Sequence, residues 1–178
     1  MREKIMRSPN KERAQSLVEF AISIIIILTL LAGAVDFGRA LFSLVALRDA
    51  VQEGALYGSF NPTLDDGDNL YEGEALDCTA IAARVRSASS NPVDLTDTAK
   101  VSIFICTVPP GSSSFTCTNA CDDSAADPCE GAGAGIQVRT VYEYTLTMPL
   151  IDTIIGSNTI PLSASVTDAM LNPLCPSP

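Results

Sequence analysis

Residues Phe20 to Val35 carry no charged side chain, and Ile24-Ile-Ile-Ile27 is followed by Leu28, Leu30 and Leu31. No other stretch constrains the fold as tightly. Counted from Leu17, the run rises roughly 28 Å as an α-helix, about the thickness of a bilayer core. A lone strand cannot satisfy its backbone in lipid, so the β-branched isoleucines do not argue against a helix. One carboxylate, Glu19, stands just inside this run, where an acid is costly unless it has a partner.

Charge divides the chain at the same place. Residues 1–13 hold Arg2, Lys4, Arg7, Lys11 and Arg13 against Glu3 and Glu12, a net of +3, whereas the whole chain nets −10. A basic end beside an apolar span stays on the cytoplasmic side. The acidic remainder then lies outside the membrane, and it argues against nucleic acid, which demands a basic footprint. All six cysteines, Cys78, Cys106, Cys117, Cys121, Cys129 and Cys175, fall in this outer part. An even number in an exported region reads as a disulfide framework with fifteen possible pairings. Zinc is the other reading; it lacks a repeated CxxC, and the chain has no His.

The helix is expected to continue beyond the span. From Asp36 to about Tyr57 there is no Pro and no turn cluster, and Asn61-Pro62 provides the stop. Phe37, Leu41, Leu44, Val51 and Ala55 share one face at helical spacing, with Arg39, Asp49 and Glu53 opposite. Phe42 and Ala46 sit among the charges, suited to a helix–helix contact or to the headgroup zone. Gly54 and Gly58 weaken the helix end. A break near Gly38 into two helices is the alternative.

Beyond it, 61–74 reads as a solvated acidic loop. Its Asp65-Asp-Gly-Asp-Asn69 lacks the longer pattern of a calcium-binding EF-hand. Glu74 to Ser89 reads as a short helix with Ala75, Cys78, Ile81, Ala82 and Val85 on one side, ended by Asn91-Pro92. Val101 to Val108 reads as a central strand. Cys106 to Gly135 has the composition of a disulfide-pinned loop. Ile136 to Met148 alternates, with Ile136, Val138, Tyr142, Tyr144, Leu146 and Met148 on a buried face, and Gln137, Arg139, Glu143, Thr145 and Thr147 on an open one. Ile151 to Ile155 suits one helical turn and Gly156-Ser-Asn158 a turn. Ile160, Leu162, Ala164 and Val166 alternate with Ser163, Ser165 and Thr167 as a last strand. The expected class is α+β: a long N-terminal membrane helix continuing into a small domain with a short helix and an antiparallel sheet of three or four strands, helices on one face. The expected divisions are a leader (1–14), the long helix (15–58) and an extracytoplasmic domain (59–178).

Ala14-Gln-Ser-Leu-Val-Glu-Phe-Ala21, Ala34-Val-Asp-Phe-Gly-Arg39 and Ala50-Val-Gln-Glu-Gly-Ala55 together resemble the N-terminal module of the TadE-like family. Its members are minor pseudopilins of tight-adherence (Flp-type) pilus systems. The resemblance covers roughly residues 13–58, and the tail from Ile136 to Met170 is similar to the strand, turn and strand that close such proteins. It implies cleavage between Ala14 and Gln15 by a membrane prepilin peptidase. Ala14 stands where many prepilins have Gly. Glu19 either stays hydrated near the interface or meets the freed amine of Gln15 on a neighbour, and Phe20, Asp36, Arg39 and Phe42 are the other candidates for the assembly surface. The implied partners are the lipid bilayer, other pilin or pseudopilin subunits and the assembly platform, in a single-pass protein of the cytoplasmic membrane or a pilus.

Asp36 and Arg39 are also spaced to pair with each other on one helix surface. No catalytic constellation stands out: there is no GxSxG, no P-loop and no glycine fingerprint opening a helix, so no enzyme activity and no cofactor or metal is expected. Two other readings stay open. Ala32-Gly-Ala34 satisfies the small-x-small rule of a signal peptide, which would release Val35 onward as a disulfide-rich binding domain. An uncleaved bitopic surface adhesin is the other.

Overall fold

In a computed structural model, residues 9–60, 76–109, 111–112, 116–122, 135–147 and 156–171 are described. Helix α1 runs from Pro9 to Phe60, unbroken at Gly38, and α2 spans Cys78–Ser87. Four strands follow: β1 (Val101–Val108), β2 (Cys121–Asp122), β3 (Gly135–Thr145) and β4 (Thr159–Ala169). They form one sheet in the order β2-β1-β3-β4. The β1–β3 and β3–β4 pairs are antiparallel, as expected, while β1–β2 is parallel and only two residues long. The class is α+β. The expectations for the 61–74 loop, Cys129, Cys175, the 151–155 turn and the charges of residues 1–8 lie outside the described residues.

The chain divides into two compact units. One comprises Met1–Gly38 with Leu146–Asn158, the other Arg39–Thr145 with Thr159–Pro178. The second unit contains the core. Leu47, Ala50, Val51 and Ala55 of α1 are wholly buried with Ile81 and Val85 of α2 and with Ile105, Ile136 and Val138 of the sheet. Each larger aliphatic among them contributes roughly 1.5–3 kcal/mol by leaving water. Both helices therefore cover one face of the sheet.

The buried face of α1 differs from the expected one. Val51 and Ala55 are inside, but Phe37, Leu41 and Leu44 are exposed. The buried stripe runs instead through Ser43, Leu47, Ala50, Val51, Gly54, Ala55, Gly58 and Ser59. Small residues decide it, because they let α1 come close. A Cβ added at Gly54 would collide with Val85 Cγ2, and one at Gly58 would stand 2.6 Å from Ile136 Cδ1. These glycines are contact points, not merely a weak helix end. Beside them, Arg84 Nε of α2 donates to Glu53 Oε1 at 2.8 Å. This exposed pair contributes at most about 1 kcal/mol. The Asp77 carboxylate caps α2 by accepting from Ala80 N–H at 2.9 Å.

The opposite face of β3 was expected to be open, and at Gln137 it is not. A disulfide joins Cys106 to Cys117 and folds residues 116–118 over the sheet. The Cys117 N–H donates to Gln137 Oε1 at 2.8 Å, and Gln137 Nε2 donates to Thr167 Oγ1 at 3.0 Å. The Arg139 guanidinium donates to the Cys117 carbonyl and lies 5.7 Å from the Phe104 ring centre. A second disulfide, Cys78–Cys121, ties α2 to β2. It encloses the longer loop, with a sequence separation of 43 against 11. Chain entropy assigns about 4 kcal/mol to the longer and about 3 kcal/mol to the shorter.

Gly54→Ala should destabilise the folded chain by about 1–3 kcal/mol, the usual cost of overpacking. Gly38→Ala, with nothing within 4 Å of the added Cβ, should be neutral or gain up to about 1 kcal/mol. Denaturant titration of the two variants in detergent checks both. The same titration tests Thr140, whose hydroxyl is buried with no partner among the described residues. Thr140→Val should stabilise by about 1–3 kcal/mol.

Candidate assembly surface

The exposed part of α1 is apolar on every side. Leu17, Val18, Phe20, Ile22, Ile25, Ile26, Ile27, Leu28, Leu30, Leu31 and Val35 are each at least half exposed. No helix face in this stretch is left for solvent, because none is polar. The segment is long and apolar enough to cross a membrane, and none of it is buried within the chain. Its hydroxyls are satisfied internally: Ser23 donates to the Glu19 carbonyl and Thr29 to the Ile25 carbonyl, both at 2.8 Å. That is how polar side chains are tolerated in lipid.

The residues singled out in the sequence all lie on this helix. Ala14, Gln15, Glu19 and Phe20 are exposed in its first turns. The Ala14–Gln15 bond lies inside α1, since the helix begins at Pro9. Gln15 and Glu19 are one turn apart on the same side. Further along, Arg39 is exposed, and Phe37 and Phe42 are 66% and 71% exposed. Leu41 and Val45 extend this apolar surface past the span.

Asp36 stands apart, being only 4% exposed. Its Oδ2 accepts the Thr147 N–H at 2.9 Å, and its Oδ1 accepts the Thr147 hydroxyl. Both donors come from Thr147, two residues beyond the end of β3, and Leu146 N–H donates to the Asn158 carbonyl across the same connection. A buried carboxylate with two donors of one residue is well compensated. Asp36 thus ties the helix to the β3–β4 connection. Sequence reading left Thr147 out. The partners are 111 residues apart, and no local pattern links them.

No group of three His, Cys, Asp or Glu among the described residues is placed to hold a metal ion. The arrangement offers contact surface and one buried polar tie.

The family model described as TadE-like protein matches residues 14–56, entirely within α1. No curated protein and no solved structure matches the chain.

Asp36→Ala should cost about 1–3 kcal/mol by leaving the Thr147 donors without an acceptor, and Asp36→Asn less. Hydrogen exchange at the Thr147 amide should accelerate in step. A double-mutant cycle with Thr147→Ala that shows strict additivity would refute the tie.

Proposed function

With residues 14–56 forming a TadE-like segment, we propose that the chain is a membrane-anchored, pilin-like subunit of a tight-adherence pilus or related secretion apparatus. It is a structural subunit and not an enzyme. One observation carries this reading: α1 is apolar and exposed on all sides from Leu17 to Val35, yet holds a carboxylate, Glu19, near its start. Lipid suits the aliphatic side chains. It does not suit the carboxylate, which costs about 2.5–3.5 kcal/mol at the centre of a span and less near its end.

The partner we assign to Glu19 is the amine of Gln15 on a neighbouring subunit, freed when a prepilin peptidase cuts after Ala14. In lipid the attraction and the desolvation penalty are both large, so the pair sets register between subunits more than it adds stability. Phe20, Arg39 and Phe42 belong to the same contact surface with other pilin or pseudopilin subunits and the assembly platform. Asp36 supports it from inside. The topology assigned is N-terminus in the cytoplasm, one crossing, and residues 59–178 outside, where the two disulfides form. On this reading residues 1–14 are the leader and 15–58 the mature helix. Release by a signal peptidase after Ala34 would cut α1 in mid-course.

N-terminal sequencing of the chain co-expressed with a prepilin peptidase decides the processing. The expected start is Gln15. A start at Val35 would mark a secreted domain, and Met1 an uncleaved anchor. Glu19→Ala should insert as well as the parent or better, and lose crosslinking to co-expressed pilus subunits. Glu19→Asp should be intermediate. If Glu19→Ala crosslinks as the parent does, the acid is only a hydrated interfacial group.

A further inference from the structure

The two disulfides sit on opposite faces of the sheet. Ile105 and Cys121 are partners in the parallel β1–β2 pair, and Ile105 points into the core. Cys121 therefore points to the helix side, where it meets Cys78 of α2. Cys106 is the next residue along β1 and points to the other side, where it meets Cys117. The β1 backbone separates the two sulfur pairs.

Their surroundings differ as much as their sides. Cys106 and Cys117 are each 1% exposed. The Cys117 backbone is pinned as well, its N–H to Gln137 and its carbonyl to Arg139. A thiol reaches this bond only after those contacts break. Cys78 is half-buried against the core, but Cys121 is exposed. One sulfur of the α2–β2 bond is thus open to attack from water, and neither sulfur of the other bond is. Exposed disulfides are the labile ones. Apart from this bond, β2 is held by two residues paired to β1 and by the Ile105 N–H, which donates to the Ala120 carbonyl at 3.2 Å.

We propose that Cys78–Cys121 is a redox-reversible latch, which a dithiol reductant opens to free β2 from β1 while Cys106–Cys117 stays closed. One thiolate of the reductant attacks Cys121 Sγ. The bond between Cys78 and Cys121 breaks, and Cys78 leaves as a thiolate that takes a proton from water. The second thiol of the reductant, as its thiolate, then attacks the reductant's own sulfur in the mixed disulfide. Cys121 leaves and is protonated, and the reductant departs as a disulfide. The chain gains two electrons and two protons, and the reductant loses them. A disulfide oxidant runs the sequence backwards. Opening removes the acceptor from the Ile105 N–H. It leaves α2 on the core through Ile81 and Val85, which are wholly buried, and leaves the ladders among β1, β3 and β4 in place. The latch rests on the disulfides and their exposure, not on the reading of α1.

The test uses the full chain in detergent micelles, with dithiothreitol raised in steps as the probe. Free thiols are alkylated at each step and assigned by peptide mapping. Cys78 and Cys121 should be labelled at reductant concentrations at least about tenfold below those that label Cys106 and Cys117. In the half-reduced chain the Ile105 amide should exchange at least about tenfold faster, with the Val138 amide inside the sheet unchanged. Replacing dithiothreitol with oxidised glutathione should restore both the bond and the Ile105 protection. The double variant Cys78→Ser, Cys121→Ser should show the fast Ile105 exchange without reductant. Labelling of Cys106 and Cys117 first, or in step with the other pair, would overturn the proposal. So would an Ile105 amide that does not respond. Acceleration at Val138 in step with Ile105 would also overturn it, because the bond would then hold the whole domain and not β2 alone.

Discussion

The close approach of α1 to the sheet at Gly54 and Gly58 is the constraint on which the helix–sheet domain depends. With hydrogen in place of a side chain, Val85, Val138, Ile81 and Ile136 reach the helix backbone. That contact buries Leu47, Val51 and Ala55 and holds α2 on the same sheet face. A larger residue at Gly54 would press on Val85 and strain this contact. The glycines cost helix propensity, roughly 1 kcal/mol each against alanine, and the packing they allow outweighs it.

This division of labour leaves α1 with two kinds of surface. Its buried stripe is narrow and made mostly of small residues around Leu47 and Val51, whereas most of its large apolar residues point outward. A soluble helix does the reverse. Phe37, Leu41, Phe42, Leu44 and Val45 lie beyond the apolar span, so a bilayer long enough for Ile24 to Leu31 would not by itself cover them. They present an apolar surface, and Leu44 and Val45 wall a groove of about 320 Å³ beside β4. The tie from Asp36 to Thr147 works at the point where the apolar span ends.

Much of the fold was legible in the sequence. Period-2 alternation placed β3 and β4, an apolar run placed β1, and the uninterrupted stretch to Asn61-Pro62 placed α1. The buried face of α1 was not legible. Periodicity weighs bulk, and the bulky residues here face outward. The two-residue β2 carries no period at all; a disulfide and the loop around it hold it against β1. Gln137 was placed on an open face because polarity suggests exposure, but the Cys117 backbone satisfies its side chain. Of the candidate surface, Glu19 and the aromatic residues were visible from the apolar run. Thr147 was invisible, being joined to Asp36 only by the fold.

The contact between Gly54 and Val138 also sets a clock. During synthesis the helix emerges first, and Val138 follows 84 residues later, counting from Gly54. At a synthesis rate of about 5–20 residues per second, that interval is roughly 4–17 seconds. Throughout it the narrow stripe on α1 has no sheet to meet, and β3 needs β1 on one side and β4 on the other. The helix–sheet domain therefore assembles late and nearly all at once. For that interval a nascent chain carries its helix bare, before its own strands arrive to cover the stripe.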